Sequence, residues 1–511
     1  MKTGKRRVAL YRFLGTAVLA IFSVLYALSR LGTSGNETSR FATIQAVSEQ
    51  NTFAIEHTDF FTVDRVIYNG HVYSDKPLFM SAVIGVVLKP VQRVTKWTFR
   101  NDREKLVYLV NLIFGGAVNI LLFWWLFNMF RRVRRGAVES KFLLALGSVL
   151  GSWLLSYSVV LNNHTPAALC VLGACVALQR YSRRPTYLAV AMAALSCGLL
   201  GALEIPGGVI FSLALLPAVC LAAPKEKRVE HLLAAACVLC GAALLIFSLN
   251  RFAYGHPLPL YMVKGGSFQP GTHSKSHLGY AVECLFTYRG VFSYQPFLLL
   301  AFPALWFCRK KIRAAEWCVV AATLVFTLFY LVLTNEYGGA AYGFRYLIPV
   351  IPVWSCLAGR FVLEFPKRRA RIALGALATL LVLWGVVTSA VGAYFPFCYA
   401  FEGFRTPERH FSRSVRATFG GNLLCWSFEH YPESALTDAL VRHYGGRPAL
   451  EHIFWSFVNM QYLDMREIRK NYAAQGISDF QRYYLFRMKD EELRLWIEYG
   501  RRRRIEKAPN P

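Results

Sequence analysis

Residues 231–249 read HLLAAACVLCGAALLIFSL, close behind Lys225, Lys227 and Arg228. This run contains no Lys, Arg, Asp or Glu and is close to the ~20 residues that a bilayer-spanning helix needs. Similar runs occur at 8–31, 105–130, 142–161, 165–180, 187–203, 207–223, 291–308, 315–334, 346–365 and 372–394. The pattern predicts an all-α polytopic membrane protein with about eleven transmembrane helices. Composition agrees, because 55% of the 511 residues are apolar and only 17% are charged. A disordered chain would be charge-rich and aromatic-poor. The formal charge of +28 also does not point to nucleic acid, since the basic residues lie between apolar runs and not on a polar domain.

Those basic residues report topology instead. Twenty-five Lys and Arg fall in the segments 1–12, 131–141, 180–184, 225–228, 309–313 and 360–371, and none in the opposite turns 162–164 and 204–206. By the positive-inside rule the N-terminus is cytoplasmic, and an odd number of spans puts the C-terminus outside, as in a bacterial inner membrane. The first run is read as a retained helix and not a cleaved signal. The stretch 77–91 is left out of the count: at ~1.5 Å per residue it reaches only ~22 Å, and Lys89-Pro90 closes it, so it is expected to be interfacial or re-entrant. Residues 1–394 then form a transmembrane domain, and 395–511 a small extracytoplasmic tail domain. Most of the twelve cysteines sit inside apolar runs and are read as free thiols.

Polar residues concentrate in the outer loop 32–104. Its segment NETSRFATIQAVSEQ (36–50) carries Phe41, Ile44 and Val47 at helical spacing, which predicts an amphipathic helix lying on the membrane, capped by Thr38 or Ser39, with Glu37 and Arg40 at its start. In FTVDRVIYNGHVYSDKPLF (61–79), Asn69-Gly70 marks a turn between two β-prone runs, and Ser74 or Asp75 is placed to cap a helix with Pro77 in its first turn. Lys76 stands at that helix start, where the dipole already favours an anion. His273 and His277 have i,i+4 spacing, but Gly, Ser and Pro surround them, so they are read as loop residues and no metal is assigned.

Together these features resemble the multi-pass glycosyltransferases of the C superfamily (GT-C), in particular bacterial members similar to protein O-mannosyltransferases and the lipid A aminoarabinose transferase. The resemblance is carried by Glu37 and Arg40 after the first span, Tyr73-Ser74-Asp75-Lys76-Pro77, Asn163-His164-Thr165-Pro166, NRFAYGHPLPLY (250–261), RGVFSYQPFLLL (289–300) and GGAAYGFRY (338–346). It covers about 36–360, and the tail matches nothing in it.

The resemblance implies transfer of a sugar from a polyprenyl-phosphate carrier to a hydroxyl acceptor (lipid, glycan or protein) on the non-cytoplasmic face, within a cell-envelope setting, with membrane lipids as the other partners. It makes Glu37 the catalytic acid position, where relatives often carry Asp, and leaves Asp64 or Asp75 open to share that role. Lys76 and Arg345 become the donor-phosphate contacts, with Arg40 beside them. Tyr73, His164, Glu204, Tyr261, Tyr342 and Tyr346 become candidate pocket residues, although helix-end hydrogen bonding or a place at the membrane boundary explains several of them equally well. No cofactor is indicated; relatives differ on a divalent metal. Two rivals remain: a transporter or lipid flippase, which would carry ionisable groups at mid-membrane where these spans have almost none, and a catalytically inert relative that keeps the fold.

Overall fold

The computed structural model describes residues 2–28, 35–60, 62, 64–263, 277–287, 289–334, 338, 341–394, 396, 418–431 and 434–443. In chain order these form α1 (Lys2–Tyr26), α2 (Gly35–Glu49), β1 (Arg65–Tyr68), β2 (His71–Ser74) and α3 (Leu78–Thr95). Next come α4 (Arg103–Arg131), whose middle is a π-helical turn over Leu112–Ala117, then α5 (Val138–Leu150) and α6 (Trp153–Tyr157). After them follow α7 (His164–Tyr181), α8 (Tyr187–Leu203), α9 (Ile205–Ala222), α10 (Arg228–Tyr254), α11 (Leu260–Val263), α12 (His277–Phe286) and α13 (Val291–Tyr294). The remainder is α14 (Ala301–Phe307), α15 (Ala314–Leu333), α16 (Ile351–Glu364), α17 (Arg368–Tyr394), α18 (Phe419–His430) and α19 (Ala435–His443).

Among the described residues, eight helices are long and apolar enough to cross a membrane, or nine if a pair bent by 97° near Tyr294–Pro296 is one span. Eleven were expected, and the difference has local causes. The run 142–161 is not one helix: it stops at Leu150 and resumes as the short α6, with Gly151 between. The run 291–308 is likewise broken at Gln295-Pro296, α8 has only 17 residues, and α7, although 18 residues long, is not among the eight. The stretch excluded for its shortness behaves oppositely. α3 runs for 18 residues, straight through Pro90, to Lys96 in the left-handed region at φ 61°. The proline forgoes one backbone hydrogen bond without ending the helix, so α3 meets the same length and apolarity test as the spans.

Lipid tails give no hydrophobic force between helices, so close packing and interhelical hydrogen bonds hold such a bundle. α8 and α9 meet at Gly201 and Gly208, where a Cβ on Gly208 would lie 2.2 Å from the Gly201 Cα. Asn119 Nδ2 donates to Leu154 O at 3.0 Å, and Ser156 Oγ to Ser389 O at 2.8 Å. Each such bond is worth about 0.6 kcal/mol in a bilayer. α16 lies at the centre, with 83% of its span window buried, whereas α10 lies at the rim with 6%.

The segment between α1 and α4 forms a layer of structure over one end of this bundle. β1 and β2 pair antiparallel in the register Arg65↔Ser74 to Tyr68↔His71, and the turn has Asn69 at φ 50° and Gly70 at φ 81°, the left-handed values a tight hairpin demands. α2 does not lie on the membrane surface. Residues from Gly35 to Val47 are buried almost without exception, polar ones included, because α3 packs along one side and the hairpin along another. Glu49 ties the layer together, its Oε1 accepting from Gln92 Nε2 at 2.8 Å and from Phe99 N at 2.7 Å. At the opposite end of the chain, α18 packs on α17, and the Phe419 amide donates to Tyr294 OH at 3.0 Å. Most of the expected tail domain, including residues 444–511, lies outside the described residues.

A buried polar cluster beneath the first outer loop

The cluster starts from α2. Because the helix begins at Gly35, Thr38 and Ser39 lie inside it instead of capping it, and Ser39 turns its hydroxyl to the hairpin. Ser39 Oγ donates to Asp64 O at 2.6 Å and lies 2.6 Å from Ser74 Oγ. That link brings both ends of the hairpin, Asp64 and Ser74–Lys76, against the first turns of α2. Neither Ser74 nor Asp75 caps α3: the N-cap is Pro77, with no side-chain cap bond. Ser74 Oγ instead accepts from Lys76 N at 3.1 Å. The Asp75 carboxylate is engaged by Lys76, whose Nζ lies 3.1 Å from Asp75 Oδ1 and 3.0 Å from Asp64 Oδ2. Burial pushes the Asp75 carboxyl above the usual carboxylate range, against the pull of Lys76.

Arg40 is 1% exposed, and its hydrogen-bond acceptors are neutral amides. Nε donates to Asn36 Oδ1 at 3.1 Å and Nη2 to Asn163 Oδ1 at 2.9 Å, while buried Nη1 has no hydrogen-bond partner among the described residues. Burial, with the nearby charge of Arg345, pushes Arg40 down to about 10, so it stays cationic at neutral pH. Arg345, itself buried, is close enough for its charge to act on Arg40, whose Nη1 is unspent among the described residues. Glu37, one turn earlier on α2, is fully buried.

The far wall comes from the helix ends. Asn163 anchors α7 to α8 by donating to Leu203 O at 3.0 Å. Glu204, the single residue between α8 and α9, has extended backbone at φ −152° and points its carboxylate back into the cluster. His164 Nδ1 lies 3.3 Å from Glu204 Oε2, and Tyr330 OH donates to Glu204 Oε1 at 2.6 Å. The Tyr346 ring stacks on Tyr330 at 4.7 Å and meets His164 edge-on at 5.8 Å, and the Arg345 guanidinium lies 5.8 Å from its centroid. Tyr261, on α11, feels the charges of Glu204, Asp75 and Arg40; burial and the two carboxylates push its hydroxyl up to about 12.

Of the residues singled out from the sequence, the structure gathers Arg40, Asp64, Asp75, Lys76, His164, Glu204, Tyr261, Arg345 and Tyr346 into one connected polar region, with Glu37 buried one turn from Arg40. Two stand elsewhere. Tyr73 packs edge-on against Tyr254 at 5.0 Å in a small apolar cluster under the hairpin. Tyr342 is in the helical core, its hydroxyl donating to Thr388 O at 2.7 Å and its ring stacked on Tyr294. The sequence did not single out Tyr330, because a tyrosine near the end of an apolar span ordinarily marks the membrane boundary. His273 lies outside the described residues, and no group of three His, Cys, Asp or Glu side chains placed to hold a metal occurs among those described.

No protein-family model and no curated protein matches the chain by sequence. Solved structures do match its fold. ArnT from Cupriavidus metallidurans bound to undecaprenyl phosphate aligns with a TM-score of 0.53 at 13% identity, covering 96% of this chain and 88% of that one. The apo state of the same protein gives 0.51 at 14% identity, covering 88% and 74%. An oligosaccharyltransferase from Archaeoglobus fulgidus in the apo form gives 0.47 at 12% identity, and this chain spans 59% of its length. At these identities the likeness to ArnT is one of fold, and it bears out the GT-C resemblance at that level.

Proposed function

We propose that this chain is an integral-membrane glycosyltransferase that takes a sugar from a polyprenyl-phosphate-linked donor and transfers it to a hydroxyl acceptor. The observation that carries the reading is the buried pair Arg40 and Arg345, with an unspent N–H on Arg40. Two buried cations that repel each other are stabilised by an anion between them, and a phosphate accepts from guanidinium groups with well-matched geometry. The ArnT structure of the same fold is described as bound to undecaprenyl phosphate, a ligand of that chemistry. With α3 taken as an interfacial helix that does not cross, the distribution of Lys and Arg puts the N-terminus inside, the C-terminus outside and the active face on the non-cytoplasmic side.

In this mechanism the acceptor oxygen attacks the anomeric carbon while a carboxylate removes its proton. The bond from that carbon to the phosphate oxygen breaks, and its electron pair stays on the phosphate. Arg40, Arg345 and Lys76 stabilise the charge that develops there. Glu37 is assigned as the base, with Asp75 and Asp64 as the carboxylates that hold Lys76. His164, Glu204, Tyr261 and Tyr346 line the sugar side of the pocket. A transporter would place its ionisable groups at mid-membrane, whereas these lie where the outer loop meets the helix ends.

The test uses purified protein, a set of polyprenyl-phosphate-linked sugars, and the Glu37→Gln variant. Gln keeps the shape but cannot accept the proton, so sugar release from the donor should fall by about 10²–10⁴ while donor binding persists. Turnover of the variant at the parent rate would move the base to Asp75 or Asp64. Failure of the parent protein to bind any polyprenyl-phosphate compound would sink the glycosyltransferase reading itself.

A further inference from the structure

A cavity of about 560 Å³ lies at the other end of the helices that carry the polar cluster. α7 starts at His164 in the cluster above and ends near Arg183 at this cavity, roughly 27 Å away at ~1.5 Å per residue. α15 runs the other way, from Arg313 at the cavity to Tyr330, and α16 runs from the Arg345 end to Arg360 and Glu364. The two sites are therefore separated by about the thickness of a hydrocarbon core.

The cavity has an apolar wall and a charged mouth. Phe130, Leu178, Val319, Val320 and Val353, all buried, form the wall between α4, α7, α15 and α16. Seven cationic side chains line it against two carboxylates. Both carboxylates are already engaged. Glu364 pairs with Lys311 at 2.6 Å and with Arg360 Nε at 3.2 Å, and Glu316 lies 3.8 Å from Arg360. Arg132, Arg134, Arg135, Arg183 and Arg313 have no carboxylate within ion-pair distance among the described residues. Arg132 donates to Gln179 Oε1 at 2.6 Å, Arg313 to Ser182 O, and Arg135 to Glu364 O and Pro366 O at 3.5 Å, so three of the five are held in place by neutral groups. Burial first, and then the charges of Arg183 and Arg180, push the Arg132 guanidinium below its ordinary value.

Basic loops alone satisfy the positive-inside rule and need no cavity. Here the loops close around one whose volume is that of a ligand pocket, with arginines converging on an apolar wall. We infer that this cavity is a second binding site, for a phosphate-bearing anion, with Arg132, Arg183 and Arg313 as its principal ligands. An anionic phospholipid fits both features, its headgroup on the arginines and the first part of its chains on the apolar wall. A soluble phosphate compound would use the arginines alone.

The test compares the detergent-purified full chain with the triple variant Arg132→Gln/Arg183→Gln/Arg313→Gln. A control triple, Lys225→Gln/Lys227→Gln/Arg368→Gln, removes equal charge from basic loops outside the cavity. Each is titrated with diphosphatidylglycerol, with phosphatidylcholine and with inorganic pyrophosphate, and binding is read as a shift in thermal midpoint. The parent and control should be stabilised by diphosphatidylglycerol and not by phosphatidylcholine. At about fivefold per arginine, the cavity variant should bind it roughly 100-fold more weakly. Equal stabilisation of the parent by pyrophosphate would retain the site and assign it to soluble phosphate. Equal loss in both triples, or none in either, would overturn the inference, because the arginines would then act only as a diffuse basic surface. If the cavity triple fails to fold, single Arg132→Gln and Arg183→Gln variants decide the same question at about fivefold each.

Discussion

α10 and α2 invert the rule by which soluble proteins are read. α10 carries the longest apolar run at the rim, and only 6% of its span window is buried; Leu233, Leu244 and Leu245 are each more than half exposed. α2 is rich in Glu, Thr, Ser, Arg and Gln, yet Glu37, Ser39, Arg40, Thr43 and Gln45 are all buried. In a bilayer the solvent is hydrocarbon, so apolar side chains face outward at little cost and polar groups need partners inside the protein. A buried polar helix is then the costly part of the molecule. Taking an arginine out of water costs several kcal/mol after relaxation, even when neutral amides accept from it. Such a cost is retained where it prepares a site for charge, which is why α2, and not the more conspicuous apolar helices, directs attention to function.

Substitutions on the two kinds of surface should separate accordingly. The larger effect is expected at the α2–hairpin junction. Lys76 sits between Asp64 and Asp75 within the cluster, whereas Lys89 reaches outward to Asn51 Oδ1 at 2.8 Å on an exposed part of α3. Lys76→Gln should reduce sugar transfer by about 10–100-fold, the worth of one charge-assisted contact, and Lys89→Gln should leave it within about twofold. Equal and small losses from both would mean that Lys76 only ties the two ends of the hairpin together through Asp64 and Asp75. At the other extreme, Leu244→Ala on the outer face of α10 should change the thermal stability by less than about 0.5 kcal/mol, since no cavity opens in a packed core. A loss of several kcal/mol there would show that α10 is covered by protein, and the contrast with α2 would fail.

The sequence made the helical bundle legible because apolar runs and basic loops are long, repeated signals. The hairpin was legible from Asn69-Gly70, two residues that adopt the left-handed turn conformation readily, as is observed. The span count was not, for reasons that act over single residues: Gly151 and Gln295-Pro296 break two runs, and Pro90 fails to break a third. α2 was read as lying on the membrane because Phe41, Ile44 and Val47 share a face, a spacing that cannot tell lipid from protein as the opposing surface. The cluster residues drawn from the GT-C resemblance come together in space, except Tyr73 and Tyr342, which pack in apolar surroundings. Tyr330 and Asn163 escaped notice as partners because their roles depend on Glu204 and Arg40, which lie more than a hundred residues away in the chain.

We propose that the buried Arg40 and Arg345 receive a prenyl-linked phosphate. The direct measurement is a titration of the full chain with polyprenyl phosphate, comparing the parent with Arg40→Gln and Arg345→Gln, each first checked for an unchanged thermal midpoint without ligand. Arg40 offers a buried N–H that is unspent among the described residues, and Arg345 is a second buried cation whose charge acts on it. Loss of either should weaken binding about 10–100-fold, the scale of a charge-assisted hydrogen bond to phosphate. Binding of polyprenyl phosphate to both folded variants as tightly as to the parent would contradict the account.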